Sequence, residues 1–176
     1  LHLPALRAGD RLLAENLYVT LERDSRLCIT GRNGSGKTTL VRALMAALPL
    51  PPERVLYLPQ ELDADYLRAT GLASMSHGAR TRVLQIADAL GLDPDRALAD
   101  GPLSPGELRK LAIAEGLGRH VWLAVLDEPS NHLDLPSVER LQTALAAYPG
   151  ALVLVSHDPQ LLNPLIGERG EEIRLG

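Results

Sequence analysis

The chain has 176 residues, with 22 acidic and 18 basic side chains and a formal net charge of −4. This length supports one domain with a sizeable core, no apolar run reaches the roughly 18 residues that a membrane span needs, and the acidic balance predicts no DNA partner. The single cysteine, Cys28, excludes an internal disulfide and favours a reducing compartment, which predicts a cytoplasmic protein without direct membrane insertion.

The first thirty residues predict short strands. Residues 11–21 and 26–30 are rich in apolar and β-branched side chains and flank a polar turn at 22–25, which indicates a small antiparallel β part at the N-terminus. The glycine-rich segment "GRNGSGKT" (31–38) follows. A helix is predicted directly after it, because apolar residues recur at helical spacing up to "LPLPP".

The rest of the chain alternates between helical and strand patterns. Strands are predicted at 53–58, 121–126 and 151–155, and helices at 76–91, 92–98, 104–118 and 136–148. This alternation predicts an α/β fold with a mostly parallel sheet flanked by helices. The stretch 61–118 is rich in helical patterns without a strong strand, and it is expected to form a helical lobe.

The glycine-rich segment satisfies the pattern G-x-x-x-x-G-K-[ST] at Gly31, Gly36, Lys37 and Thr38. Glycines let backbone N–H groups approach phosphate oxygens, and the following helix N-terminus adds partial positive charge. Lys37 can reach the β- and γ-phosphates, and Thr38 can ligate Mg²⁺. A glycine-rich turn that binds nothing is the alternative, but the strand before it and the helix after it favour a P-loop nucleoside triphosphatase.

Two adjacent acids end the apolar strand "VWLAVL". Asp127 is predicted to hold Mg²⁺, usually through water, and Glu128 to orient or polarise an attacking water. The alternative is a solvent-exposed strand end. The position about ninety residues after a well-formed phosphate loop favours the catalytic interpretation.

Two further polar residues follow strand ends, where α/β folds bind ligands. His157 follows "LVLVS" and could contact a γ-phosphate, and Gln60 closes "VLYLPQ" and could contact Mg²⁺ or the water. A surface or capping histidine and a solvated loop glutamine are the alternatives. Spacing alone leaves the role of Gln60 open.

The segment "LSPGEL" predicts a helix start. Ser104 can cap the helix, Pro105 suits its first turn, and Glu107 completes a capping box. This structural role is sufficient by itself, yet it also creates a second exposed helix N-terminus that could bind an anion.

Taken together, "GRNGSGKT", "YLPQ", "LSPGE", "VWLAVLDEPS" with "NHLD", and "VSHD" resemble the nucleotide-binding domain of the ATP-binding cassette (ABC) superfamily. The resemblance implies a single ATPase domain over 1–176, with a catalytic core at 1–60 and 119–176 and a lobe at 61–118 that carries the signature motif. It implies two ATP molecules, each with Mg²⁺, between two head-to-tail cassettes. Catalytic residues would be Glu128, His157 and Gln60, and metal ligands Thr38, Asp127 and Gln60. The nucleotide would be bound by Gly31, Asn33, Gly34, Ser35, Gly36, Lys37, Thr38 and Thr39, and by Ser104, Gly106 and Asp134 across the interface.

The string "DEPSNHLD" resembles the ABC-F subfamily, whose members are tandem ATPases that act on ribosomes as translation factors or antibiotic-resistance proteins. The short stretch between Gln60 and Leu103 leaves no room for the long helical arm of a first cassette. The chain is therefore expected to be an isolated second, C-terminal cassette that hydrolyses ATP slowly without its partner. The alternatives are the ATPase subunit of a membrane ABC transporter, an ATP sensor without turnover, and a chromosome-repair ATPase.

Three positions depart from the family pattern. Pro105 stands where many cassettes have glycine, which removes one N–H that could face a phosphate. Ser130 replaces the more usual threonine. The aromatic residue that usually stacks on adenine is missing, and only Arg7 or His2 lies nearby.

Overall fold

The computed structural model describes residues 1–62, 72–99, 101–119, 121–166 and 170–176. Its strands are β1 (His2–Ala8), β2 (Arg11–Tyr18), β3 (Arg26–Gly31), β4 (Val55–Leu58), β5 (Leu123–Asp127), β6 (Ala151–Val155) and β7 (Glu171–Leu175). Its α-helices are α1 (Lys37–Ala47), α2 (His77–Ala89), α3 (Pro94–Leu98), α4 (Pro105–Gly118), α5 (Leu135–Ala146) and α6 (Pro159–Ile166), and short 3₁₀ turns occupy Pro52–Arg54 and Leu72–Ser74.

Five strands form a parallel sheet in the order β4-β5-β6-β3-β7, and β1 pairs with β2 in a separate antiparallel ribbon. The predicted fold class is confirmed in both parts. The order places β3, which leads into the phosphate loop, beside β6 and one strand away from β5.

Alternate residues of the central strands enter two separate apolar cores, as the two-residue period of a strand requires. Leu123 and Val125 of β5 pack in one core with α1 and the β1–β2 ribbon. Ala124 and Leu126 pack in the other core with α2, α4 and α5. Helices and the ribbon therefore cover the two faces of the sheet, which explains why β5 and β6 are buried along their whole length.

The carboxyl ends of the strands lie in register at one edge of the sheet. Asp127 of β5 pairs with Val155 of β6, and Val155 pairs with Ile29 of β3. The segments that follow β3, β5 and β6 therefore leave the sheet side by side. These segments contain the phosphate loop, Glu128 and His157.

Helices α2, α3 and α4 begin within two residues of their predicted starts, and a side chain caps each of them. The Ser76 side chain accepts from the Ala79 N–H at 3.4 Å, and the Asp93 carboxylate accepts from the Asp95 N–H at 2.8 Å. Ser104 forms the predicted capping box at the start of α4. These caps satisfy N–H groups that have no partner within the helix.

Helix α6 and strand β7 were not assigned from the sequence, and β1 was predicted only in general terms, without a range. Pro4 interrupts β1, a strand of a two-stranded ribbon, where proline is tolerated. Edge strand β7 begins with Glu171 and Glu172 and has Arg174 between its two apolar residues, so it lacks an apolar run. Residues 63–71 of the expected lobe lie outside the described residues, and the division of the chain into core and lobe stays a prediction. No helix among the residues described is long and apolar enough to cross a membrane.

Candidate functional site

The phosphate loop adopts backbone conformations that require glycine. Gly36 immediately precedes α1 with φ 104°, and a Cβ there would lie 2.2 Å from Leu13 Cδ1. Gly31 has φ 148°, and a Cβ there would lie 2.4 Å from the Leu175 carbonyl oxygen. Ribbon and edge strand therefore press against the loop, and only glycine fits. Among the described residues, no side chain caps the start of α1. Its first N–H groups therefore remain available, and they point toward the phosphate loop.

Lys37 and Ser35 are buried in this loop. The Lys37 Nζ donates to the carbonyl oxygens of Gly31 at 2.8 Å and Arg32 at 3.2 Å. The ammonium therefore closes the loop on itself. The Ser35 hydroxyl is buried without a hydrogen-bond partner among the described residues. Asn33 and Gly34 lie at the exposed tip of the loop, and Thr39 lies on the first turn of α1.

Thr38 and Asp127 meet at the base of the loop. The Thr38 hydroxyl donates to Asp127 Oδ2 at 3.5 Å, a long hydrogen bond that joins α1 to the end of β5. A hydroxyl and a carboxylate are hard oxygen donors of the kind that Mg²⁺ prefers. At this edge, as in the rest of the described residues, no cluster of three or more His, Cys, Asp or Glu could hold a metal by itself. This edge therefore suits an ion that takes few protein ligands and completes its shell with phosphate and water.

Glu128 and His157 form a second pair at the same edge. Glu128 Oε1 lies 2.9 Å from His157 Nδ1, while Glu128 Oε2 is buried without a hydrogen-bond partner in the part of the chain described. The Glu128 side chain is 6% exposed and that of His157 is 70% exposed. The imidazole therefore joins a buried carboxylate to the solvent-facing side of the edge.

Glu128 has a left-handed backbone, with φ 47°. Its N–H donates to the Val155 carbonyl at 2.8 Å, and its carbonyl accepts from the Asn131 N–H at 3.1 Å. Left-handed conformations are costly for a residue with a Cβ and persist only where surrounding contacts hold them. The sequence pattern did not reveal this strain.

The two adjacent acids are both desolvated. Burial, with a further contribution from the Glu128 charge, raises the pKa of Asp127. The hydrogen bond from Thr38 and the charges of Lys37 and Arg109 oppose the shift without cancelling it. A divalent cation at this position would favour the ionised carboxylate.

The start of α4 combines an exposed cap with a close contact. The Ser104 hydroxyl accepts from the Glu107 N–H at 3.3 Å, and the Ser104 N–H donates to Glu107 Oε2 at 2.7 Å. These bonds, and one from Arg96, lower the pKa of Glu107 to about 2. A Cβ on Gly106 would lie 2.8 Å from the His132 carbonyl oxygen, so the segment after Glu128 packs directly on α4.

Asp134 serves as the N-cap of α5. Its Oδ1 accepts from the Ser137 N–H at 3.1 Å. A hydrogen bond with the Ser137 side chain, and then this backbone bond, lower the pKa of the exposed Asp134 carboxyl. The structure thus gives Asp134 a local capping role. Its predicted contact with a nucleotide across an interface stays a prediction.

Arg109 was missed by sequence reasoning. Its side chain lies on the buried face of α4 and donates to the carbonyl oxygens of Glu128, at 3.1 Å, and of Gln60. The Gln60 residue is exposed, and its predicted metal or water contact stays untested. Its spacing could have revealed it in the sequence. Arg109 precedes Ala112 by three residues and Ile113 by four, which places all three on the same, buried face of the helix.

The candidates for the adenine contact lie on the β1–β2 ribbon. His2 stacks on Tyr18 with ring centroids 4.3 Å apart, and Arg7 donates to the Asp10 carbonyl at 3.4 Å. Tyr18 is 72% exposed and was not singled out from the sequence. A cavity of about 790 Å³ lies at the opposite, amino-terminal edge of the sheet, lined in part by Leu50 and Tyr148. This cavity does not involve the phosphate loop.

The residues at the carboxyl edge fit a magnesium–nucleoside triphosphate. The buried Ser35 hydroxyl and Glu128 Oε2 both lack a hydrogen-bond partner within the described chain, and a ligand there would supply one. Lys37 offers a cation to phosphate, and Thr38 with Asp127 offers oxygens to a metal. The fold and this edge define a P-loop nucleotide-binding domain.

Comparison with known proteins finds ATP-binding proteins that are similar in sequence. A family model described as "ABC transporter" matches residues 14–71. The ATP-binding protein Uup of Caulobacter vibrioides is 35% identical over 90% of the chain, which covers 27% of that protein. The tylosin resistance ATP-binding protein TlrC of Streptomyces fradiae is 37% identical over 93% of the chain and 31% of that protein. The ribosome protection protein VmlR of Bacillus subtilis is 32% identical over 88% of the chain and 30% of that protein.

Solved structures agree on the fold. The dimeric ATP-binding cassette MJ0796, in a post-hydrolysis state bound to ADP and Pi, matches with a TM-score of 0.71 and 18% identity. The match covers 97% of this chain and 90% of that one. A bacterial Atm1-family ABC exporter with ATP bound has a TM-score of 0.74 and 18% identity, over 99% of this chain and 36% of that one. The chain is thus related to ABC ATPases in sequence and in fold, and the relatives named above are ABC-F proteins. It spans about a quarter to a third of their length.

Proposed function

We propose that this ATP-binding cassette hydrolyses MgATP as one half of a cassette pair in an ABC-F protein. The observation that carries the proposal is the meeting of two side-chain pairs, Thr38 with Asp127 and Glu128 with His157, beside one phosphate loop. The first pair offers oxygens to a metal, and the second offers a carboxylate and an imidazole to a water and a phosphate. This division of roles is the one that phosphoryl transfer to water requires.

Binding of the triphosphate rests on the loop and α1. Backbone N–H groups at the helix start, the Lys37 ammonium and the Ser35 hydroxyl would contact the phosphate oxygens. Bound Mg²⁺ would neutralise charge on the β- and γ-phosphates, with Thr38 and Asp127 as its protein contacts and Gln60 as a further candidate. Arg7 remains the candidate to stack on the adenine base through its guanidinium plane.

Hydrolysis rests on Glu128. The free Oε2 would accept a hydrogen bond from the attacking water and take its proton as the new bond to the γ-phosphorus forms. The bond between that phosphorus and the β–γ bridging oxygen breaks, and ADP leaves with the bridging oxygen. His157 would hold the opposite carboxylate oxygen at 2.9 Å and present its exposed ring to the γ-phosphate.

The second cassette would complete each site. Ser104 lies exposed at the capped N-terminus of α4, an arrangement suited to an anion held by another domain. Gly106 and Asp134 lie on either side of the tight contact between α4 and the segment that ends at α5. A dimeric cassette among the structural relatives supports the pairing of two cassettes. The single-domain division into a core at 1–60 and 119–176 and a lobe at 61–118 belongs to the same proposal.

The partner and the cellular role are proposed from the relatives. Two of them carry names that refer to tylosin resistance and to ribosome protection, which supports cytoplasmic action on the ribosome. The alternative, an ATPase subunit of a membrane transporter, is favoured by the fold shared with an ABC exporter. Cosedimentation of the full natural chain with ribosomes in ATP, and release after hydrolysis, separates the two. Copurification with a membrane permease and never with ribosomes would favour the transporter.

The catalytic proposal is tested by Glu128→Gln in the full natural chain. We expect steady-state hydrolysis to fall by about a hundredfold or more while MgATP binding persists, because the amide cannot accept the water proton. Undiminished turnover would remove Glu128 from this role. The isolated 176-residue chain should hydrolyse slowly and with a rate that rises with protein concentration; fast turnover by a proven monomer would contradict the need for a second cassette.

A further inference from the structure

Helix α4 has a buried arginine, Arg109, that has no direct role in the proposed hydrolysis. Arg109 is 1% exposed, although it lies on the same helix as the exposed Ser104. Its two terminal nitrogens donate to backbone carbonyls of Glu128 and Gln60, which follow β5 and β4. One guanidinium therefore joins the helix to the segments after two strands of the sheet.

Burying a guanidinium is costly for the fold. Burial lowers the pKa of Arg109, and the charges of Asp127 and Glu128 act against this change. Its Nε is buried without a hydrogen-bond partner among the described residues, so the side chain is not fully satisfied. A charge held in the interior at such cost usually has a specific partner or a specific task.

The Glu128 carbonyl is the informative partner. Glu128 has φ 47°, and its carbonyl accepts from both Arg109, at 3.1 Å, and the Asn131 N–H. Because a left-handed residue with a Cβ relaxes unless contacts hold it, these bonds fix the direction of the Glu128 side chain toward His157. Loss of the guanidinium would release one of the contacts that hold this peptide.

We propose that Arg109 is a positioning residue that holds the backbone of Glu128, and with it that of Gln60, in the conformation needed for hydrolysis. This inference rests on the proposed roles of Glu128 and Ser104. Arg109 lies five residues after Ser104, which corresponds to about 7.5 Å along the axis of α4. A displacement of the start of α4 by a nucleotide on the partner cassette would therefore move Arg109 and the Glu128 peptide together.

The test compares Arg109→Lys and Arg109→Gln with wild type in the full natural chain. The lysine keeps the charge but cannot span two carbonyls, and it is the variant least expected to disturb folding. We expect kcat to fall by about tenfold or more in both variants, while MgATP affinity stays within about twofold of wild type. Retained affinity in each variant demonstrates an intact phosphate loop. Undiminished kcat in either variant would overturn the inference.

Arg26 offers a matched control. It is a half-buried arginine that also donates to backbone carbonyls, among them those of Gly150 at 2.8 Å and Tyr148 at 2.7 Å, but at the amino-terminal edge of the sheet. Arg26→Lys should leave kcat within about twofold of wild type. An equal loss of kcat in Arg26→Lys would indicate a general loss of stability and overturn the positioning role.

A double variant separates positioning from packing. If Arg109 acts through Glu128, adding Arg109→Lys to Glu128→Gln should lower the residual hydrolysis by less than about twofold, because the group being positioned is already gone. A further tenfold loss in the double variant would show an independent role and overturn the inference. The proposed function fails separately, if the wild-type chain neither binds nor hydrolyses MgATP.

Discussion

The contribution of Lys37 to nucleotide binding can be worked out from its bonds. The chain has two lysines, Lys37 and Lys110. An ammonium has three donors, and within the described structure two from Lys37 engage the carbonyls of Gly31 and Arg32. One donor is then left for a phosphate oxygen. A hydrogen bond to a charged group contributes about 1.5–3 kcal/mol, so Lys37→Ala should weaken MgATP binding by about 10- to 150-fold.

Calorimetric titration of MgATP into the full natural chain measures this effect, with thermal melting as the check on folding. Lys110→Ala is the control, because its exposed ammonium donates a long bond of 3.3 Å to the Gly91 carbonyl and not to the phosphate loop. Its MgATP affinity should stay within about twofold of wild type. Unchanged affinity in a folded Lys37→Ala variant would refute the assignment of the loop as the phosphate site.

Three further predictions concern stability and charge. Gly106→Ala should lower the free energy of unfolding by about 1–3 kcal/mol, because the added Cβ would lie 2.8 Å from the His132 carbonyl oxygen. Gly78→Ala, where the atom nearest to the added Cβ is 3.8 Å away, should raise it by about 0.5–1 kcal/mol. Equal melting temperatures of the two variants would contradict the close packing of Gly106 on His132. The pKa of Glu107 falls from 4.5 to about 2 on folding, so its ionised carboxylate stabilises the fold above pH 4.5, and this effect is lost as the pH falls toward 2. The loss of stability caused by Glu107→Gln should therefore shrink between pH 4.5 and pH 2. A difference in stability between wild type and Glu107→Gln that stays constant over this range would exclude the linkage. Asp127→Asn should raise the melting temperature of the nucleotide-free protein, because a raised carboxyl pKa means that the ionised form weakens folding at neutral pH. The same variant should remove the Mg²⁺ dependence of ATP binding. A lower melting temperature would contradict the expected effect on stability.

The sequence was sufficient for the elements that have strong local signals. The apolar runs of β5 and β6, the helices α2, α3 and α4, and the capping box at Ser104 were all predicted, because burial and capping leave marks within a few residues. Strand β7 was not, since its charged residues are stabilised by pairing with β3, which lies about 140 residues earlier in the chain. Long-range pairing of this kind has no local pattern.

The candidate site was predicted in its residue types and not in its contacts. The motifs identified Lys37, Asp127 and Glu128, but the Glu128–His157 pair and the Arg109 bonds join residues far apart in sequence. A buried arginine on an apolar helix face is a visible anomaly. Its partners are backbone carbonyls, which every residue has, so no sequence pattern can name them.

The arrangement of the two adjacent acids is explained by a bound cation better than by folding. Asp127 is the last residue of β5 and contacts Thr38, whereas Glu128 turns into a left-handed conformation and contacts His157, so neighbouring carboxylates serve different partners. Both are buried, burial and mutual repulsion raise the pKa of Asp127, and Glu128 Oε2 lacks a partner in the described chain. Each of these features weakens the folded state. A magnesium ion at Asp127 and a water at Glu128 would supply the missing charge and the missing hydrogen bond, so the features that weaken the fold are those that a bound MgATP would satisfy.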